Sequence, residues 1–244
     1  MISKNNIKFV HQLEQKKYRR KEGLFVAEGP KVVGDLLHAG FTPRMLFAVG
    51  EWITAHHMSA MEVTDDELRK LSFLQHPQQV LGVFELPTHR NAATLNSETL
   101  YLALDGVQDP GNLGTIIRLA DWFGIQTIFC SEDTADVWNP KVIQATMGSI
   151  ARINVVYTDL KALIEKTEMP VYGTLLDGQD IYAQELTSNG IIVMGNEGNG
   201  ISQRVRTLIT HKLLIPNFNK NSETAESLNV AIATAITCSE FRRR

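Results

Sequence analysis

Asp109-Pro-Gly-Asn-Leu-Gly-Thr-Ile-Ile-Arg118 stands directly behind an apolar run at 99–104, and its Leu113, Ile116, Ile117 and Ala120 recur at i, i+3, i+4 and i+7. The segment reads as a strand, a Gly/Pro turn and a helix that buries one stripe. Two later segments are built alike. Met194-Gly-Asn-Glu-Gly-Asn-Gly-Ile-Ser202 follows the apolar Ile191-Ile-Val-Met194, and Ile215-Pro216 with Glu226-Ser-Leu-Asn229 leads into the small-sided, apolar Val230-Ala-Ile-Ala-Thr-Ala-Ile236. Three loops rich in Gly, Asn and Ser at strand ends can converge on one crevice, because ligands of parallel sheets bind beyond the carboxyl ends of the strands.

Outward from these loops the same alternation continues. Strands are predicted at 99–104, 126–130, 153–156, 170–175, 191–194 and 212–215, and helices at 112–123, 139–146, 158–166, 201–209 and 225–241. The strands are continuous apolar runs, so both sheet faces are expected to be covered. The front of the chain reads as a smaller α/β unit: a helix at 2–17, a strand at 24–27, a helix at 29–38, a strand at 45–49, a helix at 64–73 and a strand at 80–84. Pro87 to Ser97 is polar and unpatterned and reads as a linker. The expected organisation is a first domain over 1–90, a linker over 91–98 and a second domain over 99–244.

Composition narrows the class. The chain has 244 residues, 43% hydrophobic and 21% charged, enough for a sizeable core. No apolar run approaches the ~18 residues of a membrane span, and the start has no apolar stretch of signal-peptide type. Cys130 and Cys238 read as core residues of a protein in a reducing compartment. A cytoplasmic location follows as the expectation. The net charge of −3 argues weakly against simple coating of nucleic acid. Its distribution is uneven, however: residues 1–23 hold Lys4, Lys8, Lys16, Lys17, Arg19, Arg20 and Lys21 against Glu14 and Glu22. That is either a solvated helical surface or a face that meets phosphates.

The loops exclude several chemistries. Gly195-Asn-Glu-Gly-Asn-Gly200 has the wrong glycine spacing and position for a dinucleotide fingerprint, and no lysine follows it as in a P-loop. The seven histidines show no ligand spacing, so no metal is expected. Asn112 reads either as a helix cap or as a ligand group, and Arg118 either as an i, i+3 partner of Asp121 or as a phosphate contact. Glu197 is a lone carboxylate among glycines, in need of a cation or hydroxyl. Ser227 suits an N-cap; Asn229, in the first turn of a tightly buried helix, needs a partner from a loop or a ligand.

Taken together the three loops resemble the motifs of SpoU-type RNA methyltransferases. Asn112, Gly114 and Arg118 match the first motif, and Gly195, Glu197, Gly198 and Gly200 the second. Ile215-Pro216 with Ser227-Leu-Asn229 matches the third. Asn139-Pro140-Lys141 with Met147-Gly148-Ser149 is similar to the segment this family carries between its first two motifs. Lys17-Tyr-Arg-Arg-Lys-Glu-Gly-Leu-Phe-Val-Ala-Glu-Gly29 resembles the family's added RNA-binding domain, an α/β fold like ribosomal protein L30.

The resemblance implies an α/β catalytic domain with a parallel sheet and a deep trefoil knot, an exception to the rule against knots. It implies S-adenosylmethionine bound by Thr174, Leu175, Gly195, Asn196, Gly198, Ile215, Ser227 and Leu228, largely through backbone groups. It implies a homodimer joined through the knot domain, with Arg118 contacting RNA beside the partner's cofactor. Lys16, Lys17, Arg19, Arg20 and Lys21 would bind RNA. The implied reaction is methyl transfer to a ribose 2′-oxygen of RNA, with ribosomal RNA slightly favoured over transfer RNA. Asn112, Arg118, Glu197 and Asn229 are the catalytic candidates. The family's arginine is proposed as general base, but arginine is effectively always protonated, which favours Arg118 as a phosphate clamp and alkoxide stabiliser. Two rival readings stand beside this one: a non-catalytic RNA-binding protein of the same fold, and a nucleotide-dependent oxidoreductase, which lacks its early glycine fingerprint.

Overall fold

A computed structural model describes residues 2–87, 95–219 and 225–243. Residues 91–94 of the linker expected at 91–98 lie outside the described residues, as do 220–224 of the polar stretch before Ser227.

The chain packs as two compact units. One takes the described residues of Met1–His89 together with Asp136–Arg152; the other takes those of Arg90–Ala135 and Ile153–Arg244. Within the domain expected over 99–244, Asp136–Arg152 makes its closer contacts with the first unit.

In the first unit the order is α1 (Lys4–Gln12), α2 (Lys16–Glu22), β1 (Leu24–Glu28), α3 (Pro30–His38), β2 (Pro43–Ala48), α4 (Gly50–His56), β3 (Met61–Glu62), α5 (Asp65–Leu71) and β4 (Val80–Glu85). Its sheet runs β1-β4-β2-β3, antiparallel except between β2 and β3. Val10, Leu13, Val26, Phe47, Leu68, Leu71, Leu81 and Val83 build its core. The helix read over 2–17 is two helices. Arg19, only 2% exposed, turns its guanidinium onto the carbonyls of Leu13 (2.8 Å) and Glu14 (2.6 Å) and onto Asp136 (2.5 Å). Those contacts hold the break between α1 and α2, and Asp136 is too far along the chain for local periodicity to have revealed it. Glu28 is also buried there, accepting from the Ser72 hydroxyl and the Phe73 N–H. Burial pushes its carboxyl above the usual range despite those bonds.

The second unit begins with β5 (Leu100–Asp105), α6 (Pro110–Trp122) and β6 (Thr127–Cys130). The chain passes through α7 (Pro140–Ala145), in the first unit, and returns as β7 (Asn154–Tyr157), α8 (Leu160–Ile164), β8 (Val171–Asp180), β9 (Gly190–Gly195), α9 (Gln203–Arg206), β10 (His211–Leu214) and α10 (Val230–Arg243). The sheet order is β10-β8-β9-β5-β6-β7 and every pair is parallel. β5 and β9 are buried along their whole length, as expected of strands covered on both faces. No helix among the described residues is long and apolar enough to cross a membrane.

β8 is the irregular strand. Tyr172 and Gly173 pair with His211 and Lys212, whereas the next residues of β10, Leu213 and Leu214, pair with Gln179 and Asp180. Residues 174–178 stand out of register between those pairs. Asp177 in this excursion takes Arg206 Nη2 at 2.6 Å and Lys212 Nζ at 3.0 Å. These two cations hold its carboxyl below the ordinary range.

Candidate functional site

The three motif loops follow the carboxyl ends of β5, β9 and β10 in the parallel sheet. α6 starts with Asp109 as its cap, whose carboxylate accepts from Asn112 N at 2.7 Å, and Pro110 in the first turn. Capping therefore does not account for Asn112, whose side chain is free for other work. It donates to Glu197 Oε1 at 3.0 Å and accepts from Asn229 Nδ2 at 2.9 Å. Glu197 also faces the N–H groups of Gln108 and Asp109, each at 3.4 Å. The partner of this carboxylate is thus a set of N–H donors, where the sequence suggested a cation or hydroxyl. Glu197, Asn112 and Asn229 form one hydrogen-bonded chain that ties all three loops together.

Asn229, and not Ser227, caps α10: its Oδ1 accepts from Ala231 N (2.9 Å) and Ile232 N (3.3 Å). Its amide is not buried but exposed, and both of its ends are used. Arg118 lies on the opposite side of α6 from the buried Leu113, Ile116, Ile117 and Ala120. It is exposed, and its guanidinium has no hydrogen bond or ion pair among the described residues. The i, i+3 pair with Asp121 does not form, so the charge stays available to an anion.

The second loop is closed on itself. Asn196 and Gly200 exchange two backbone hydrogen bonds of 2.9 Å. The Asn196 side chain donates to Gly106 O (2.7 Å) and accepts from Gly198 N and Asn199 N (2.9 Å each). That amide is consumed within the protein, which leaves only the backbone of Asn196 for a ligand. Gly195 is required by space: a Cβ there would stand 2.3 Å from Gly200 C and from Ile201 N. One residue at this site escaped sequence reading. Asp105, at the end of β5 and 4% exposed, accepts from Ser202 N at 2.7 Å and so holds the far end of the loop. Its only signal was a carboxylate at the end of a continuous apolar strand.

Of the other positions expected at a cofactor, Thr174, Leu175 and Ile215 are half-buried and follow the parallel cores of β8 and β10, while Leu228 is exposed beside Asn229. Apolar side chains mixed with loop backbone suit the adenine and the amino-acid end of a nucleoside-bearing cofactor. Among the described residues no group of three or more His, Cys, Asp or Glu is placed to hold a metal. Cys130 and Cys238 are buried, and burial pushes both thiols up, that of Cys238 to about 12.

The basic face of α2 needs one correction. Lys16, Lys17, Arg20 and Lys21 are exposed, whereas Arg19 is buried by its carbonyl and Asp136 contacts. Arg19 is a structural cation and is withdrawn from the RNA-binding candidates.

Residues 99–239 match the SpoU rRNA Methylase family, and residues 4–82 match the MRM3-like substrate binding domain. The 23S rRNA (guanosine(2553)-2′-O)-methyltransferase RlmP of Bacillus subtilis is 30% identical over 233 residues, spanning 92% of this chain and 91% of that protein. Among solved structures, a TrmH-family protein from Porphyromonas gingivalis is 42% identical with a TM-score of 0.86, covering 100% of this chain and 99% of the other. The AdoMet-bound rRNA methyltransferase of Sinorhizobium meliloti is 32% identical, also at a TM-score of 0.86, covering 100% and 97%. The α/β fold with its parallel sheet agrees with these likenesses, and the chain belongs to the SpoU rRNA methylase family.

Proposed function

We propose that this protein transfers a methyl group from S-adenosylmethionine to a ribose 2′-hydroxyl of ribosomal RNA. The observation that carries the reading is the chain Glu197–Asn112–Asn229 across three loops, with Arg118 exposed farther along α6 and without a partner among the described residues. The relatives named above supply the direction: one is a ribosomal RNA 2′-O-methyltransferase and another was solved with the methyl donor bound.

The residues proposed to hold the donor are Thr174, Leu175, Gly195, Asn196, Gly198, Ile215, Ser227 and Leu228. The donor supplies an activated methyl, so the protein's own tasks are alignment and management of charge. Asn112, with both ends of its amide engaged, holds the start of α6 and therefore the direction in which Arg118 projects. Arg118 clamps the phosphate beside the target and stabilises the developing alkoxide through paired N–H donors. Glu197 keeps the second loop against the first, and Asn229 ties the third to both. Lys16, Lys17, Arg20 and Lys21 contribute a positive footprint for RNA outside the reacting nucleotide. Catalysis by a homodimer joined through the knotted unit is part of the same proposal. Large apolar side chains left exposed on α10 and the loop before it, Ile232 and Leu228, support it.

The test uses total RNA from a strain lacking the gene, incubated with the protein and methyl-labelled S-adenosylmethionine. Alkali-resistant label at one position of ribosomal RNA is the expected result. Label on a base would sink the ribose mechanism, and label confined to transfer RNA would sink the ribosomal substrate.

A further inference from the structure

Trp122 ends α6 with 84% of its surface exposed, the most exposed large apolar side chain among the described residues. A lone exposed apolar side chain is ordinary, and what sets this indole apart is the charge beside it. Its position says what kind of partner. Arg118 lies four residues earlier, on the same helix face one turn away. On the other side, Arg242 donates from Nε to Phe123 O at 2.8 Å and from Nη2 to Gly124 O at 3.3 Å, which fixes a second guanidinium at the end of α6. The only carboxylate in α6, Asp121, is half-buried on a neighbouring face.

The two helices run side by side in the same direction. Asn112 and Asn229 meet at their starts, and Gly124 and Arg242 meet at their ends. Trp122 is therefore about 15 Å along the helix axis from Asn112, with Arg118 between them. An RNA strand with a phosphate on Arg118 can run on along the exposed face of α6 toward the indole.

We propose that Trp122 is a stacking platform for an unpaired RNA base flanking the methylated nucleotide, with Arg118 and Arg242 holding phosphates on either side of it. This rests on the RNA-methyltransferase reading. An exposed aromatic plane between cations is the usual means of gripping single-stranded RNA. A second copy of this chain is the weaker occupant. A two-fold contact centred on Trp122 would bring like guanidiniums toward one another, and the exposed Leu228 and Ile232 lie at the opposite end of the helix pair.

The experiment measures binding of a short unpaired RNA oligonucleotide by fluorescence anisotropy, for the full chain and for Trp122→Ala and Trp122→Phe. Sedimentation and S-adenosylmethionine affinity are followed in parallel. Loss of the stack is expected to weaken RNA binding about tenfold or more in Trp122→Ala. Trp122→Phe keeps most of the affinity, while particle mass and donor binding stay unchanged. Wild-type affinity in Trp122→Ala would overturn the proposal. So would a change in particle mass that fully accounts for any weaker RNA binding, because the indole would then belong to a contact between copies. Methyl transfer by the unmutated protein is scored separately. If it labels RNA and the variants bind like wild type, only the stack fails; if it labels nothing, the ribose reading fails and the titration still decides the stack.

Discussion

Glu197 shows how much a single side chain carries at this site. Three N–H donors face its carboxylate, from Gln108, Asp109 and Asn112, and no cation among the described residues does. A glutamine of the same length keeps one oxygen but turns an NH2 group toward donors. Glu197→Gln is therefore expected to lower methyl transfer tenfold or more, since a hydrogen bond to a charged group contributes about 1.5–3 kcal/mol. Single-turnover assay at saturating donor checks this, and a rate within twofold of wild type would remove Glu197 from the organising role. Asn112 was legible in the sequence as a candidate but not in its role, because the cap it might have supplied comes from Asp109. Arg19 was misread for a related reason. Residue type and neighbours mark it as one of a basic run, while its burial depends on Asp136, which local sequence cannot bring near.

The elements were legible where one force dominates. Buried parallel strands such as β5 and β9 announce themselves as apolar runs, and the stripe of α6 follows from its spacing. The elements that were missed or misjudged are those in which tertiary contacts override local pattern: the break between α1 and α2, the short α4 and β3, and the displaced residues 174–178 of β8. The second loop offers a test at this scale. Gly195 has no room for a methyl against the Gly200–Ile201 backbone, whereas a Cβ at Gly198 meets nothing nearer than Asn196 Oδ1 at 3.6 Å. Gly195→Ala is expected to cost about 1–3 kcal/mol, lowering the melting temperature by several degrees, and to abolish donor binding. Gly198→Ala should melt like wild type. Scanning calorimetry with donor titration separates them, and equal melting of the two variants would refute the steric assignment.

At the scale of the whole molecule, the informative feature is that the first unit is not one stretch of chain. Asp136 satisfies Arg19 and Trp138 packs on Phe25 with ring centroids 4.5 Å apart, so Asp136–Arg152 completes that unit. Residues 2–87 alone would lose the Arg19–Asp136 ion pair and the Trp138–Phe25 contact. A fragment ending at residue 87 is expected to melt without a cooperative transition, and tethering 136–152 to it should restore one. Circular dichroism of both fragments decides this; cooperative melting of the short one would mean that it folds independently.

The sequence by itself determined the class of the protein: two α/β units, a buried parallel sheet, three loops at strand ends and the residue types of SpoU motifs. These follow from hydrophobic periodicity and turn chemistry, which act over a few residues and are written locally. Only the tertiary structure decided which candidates meet. It joined Glu197, Asn112 and Asn229, buried Asp105 under Ser202, withdrew Arg19 from the basic face, left Arg118 and Trp122 exposed along one helix, and assigned 136–152 to the first unit. Each of those outcomes depends on hydrogen bonds and burial between residues distant along the chain, and composition and spacing carry no record of such pairings.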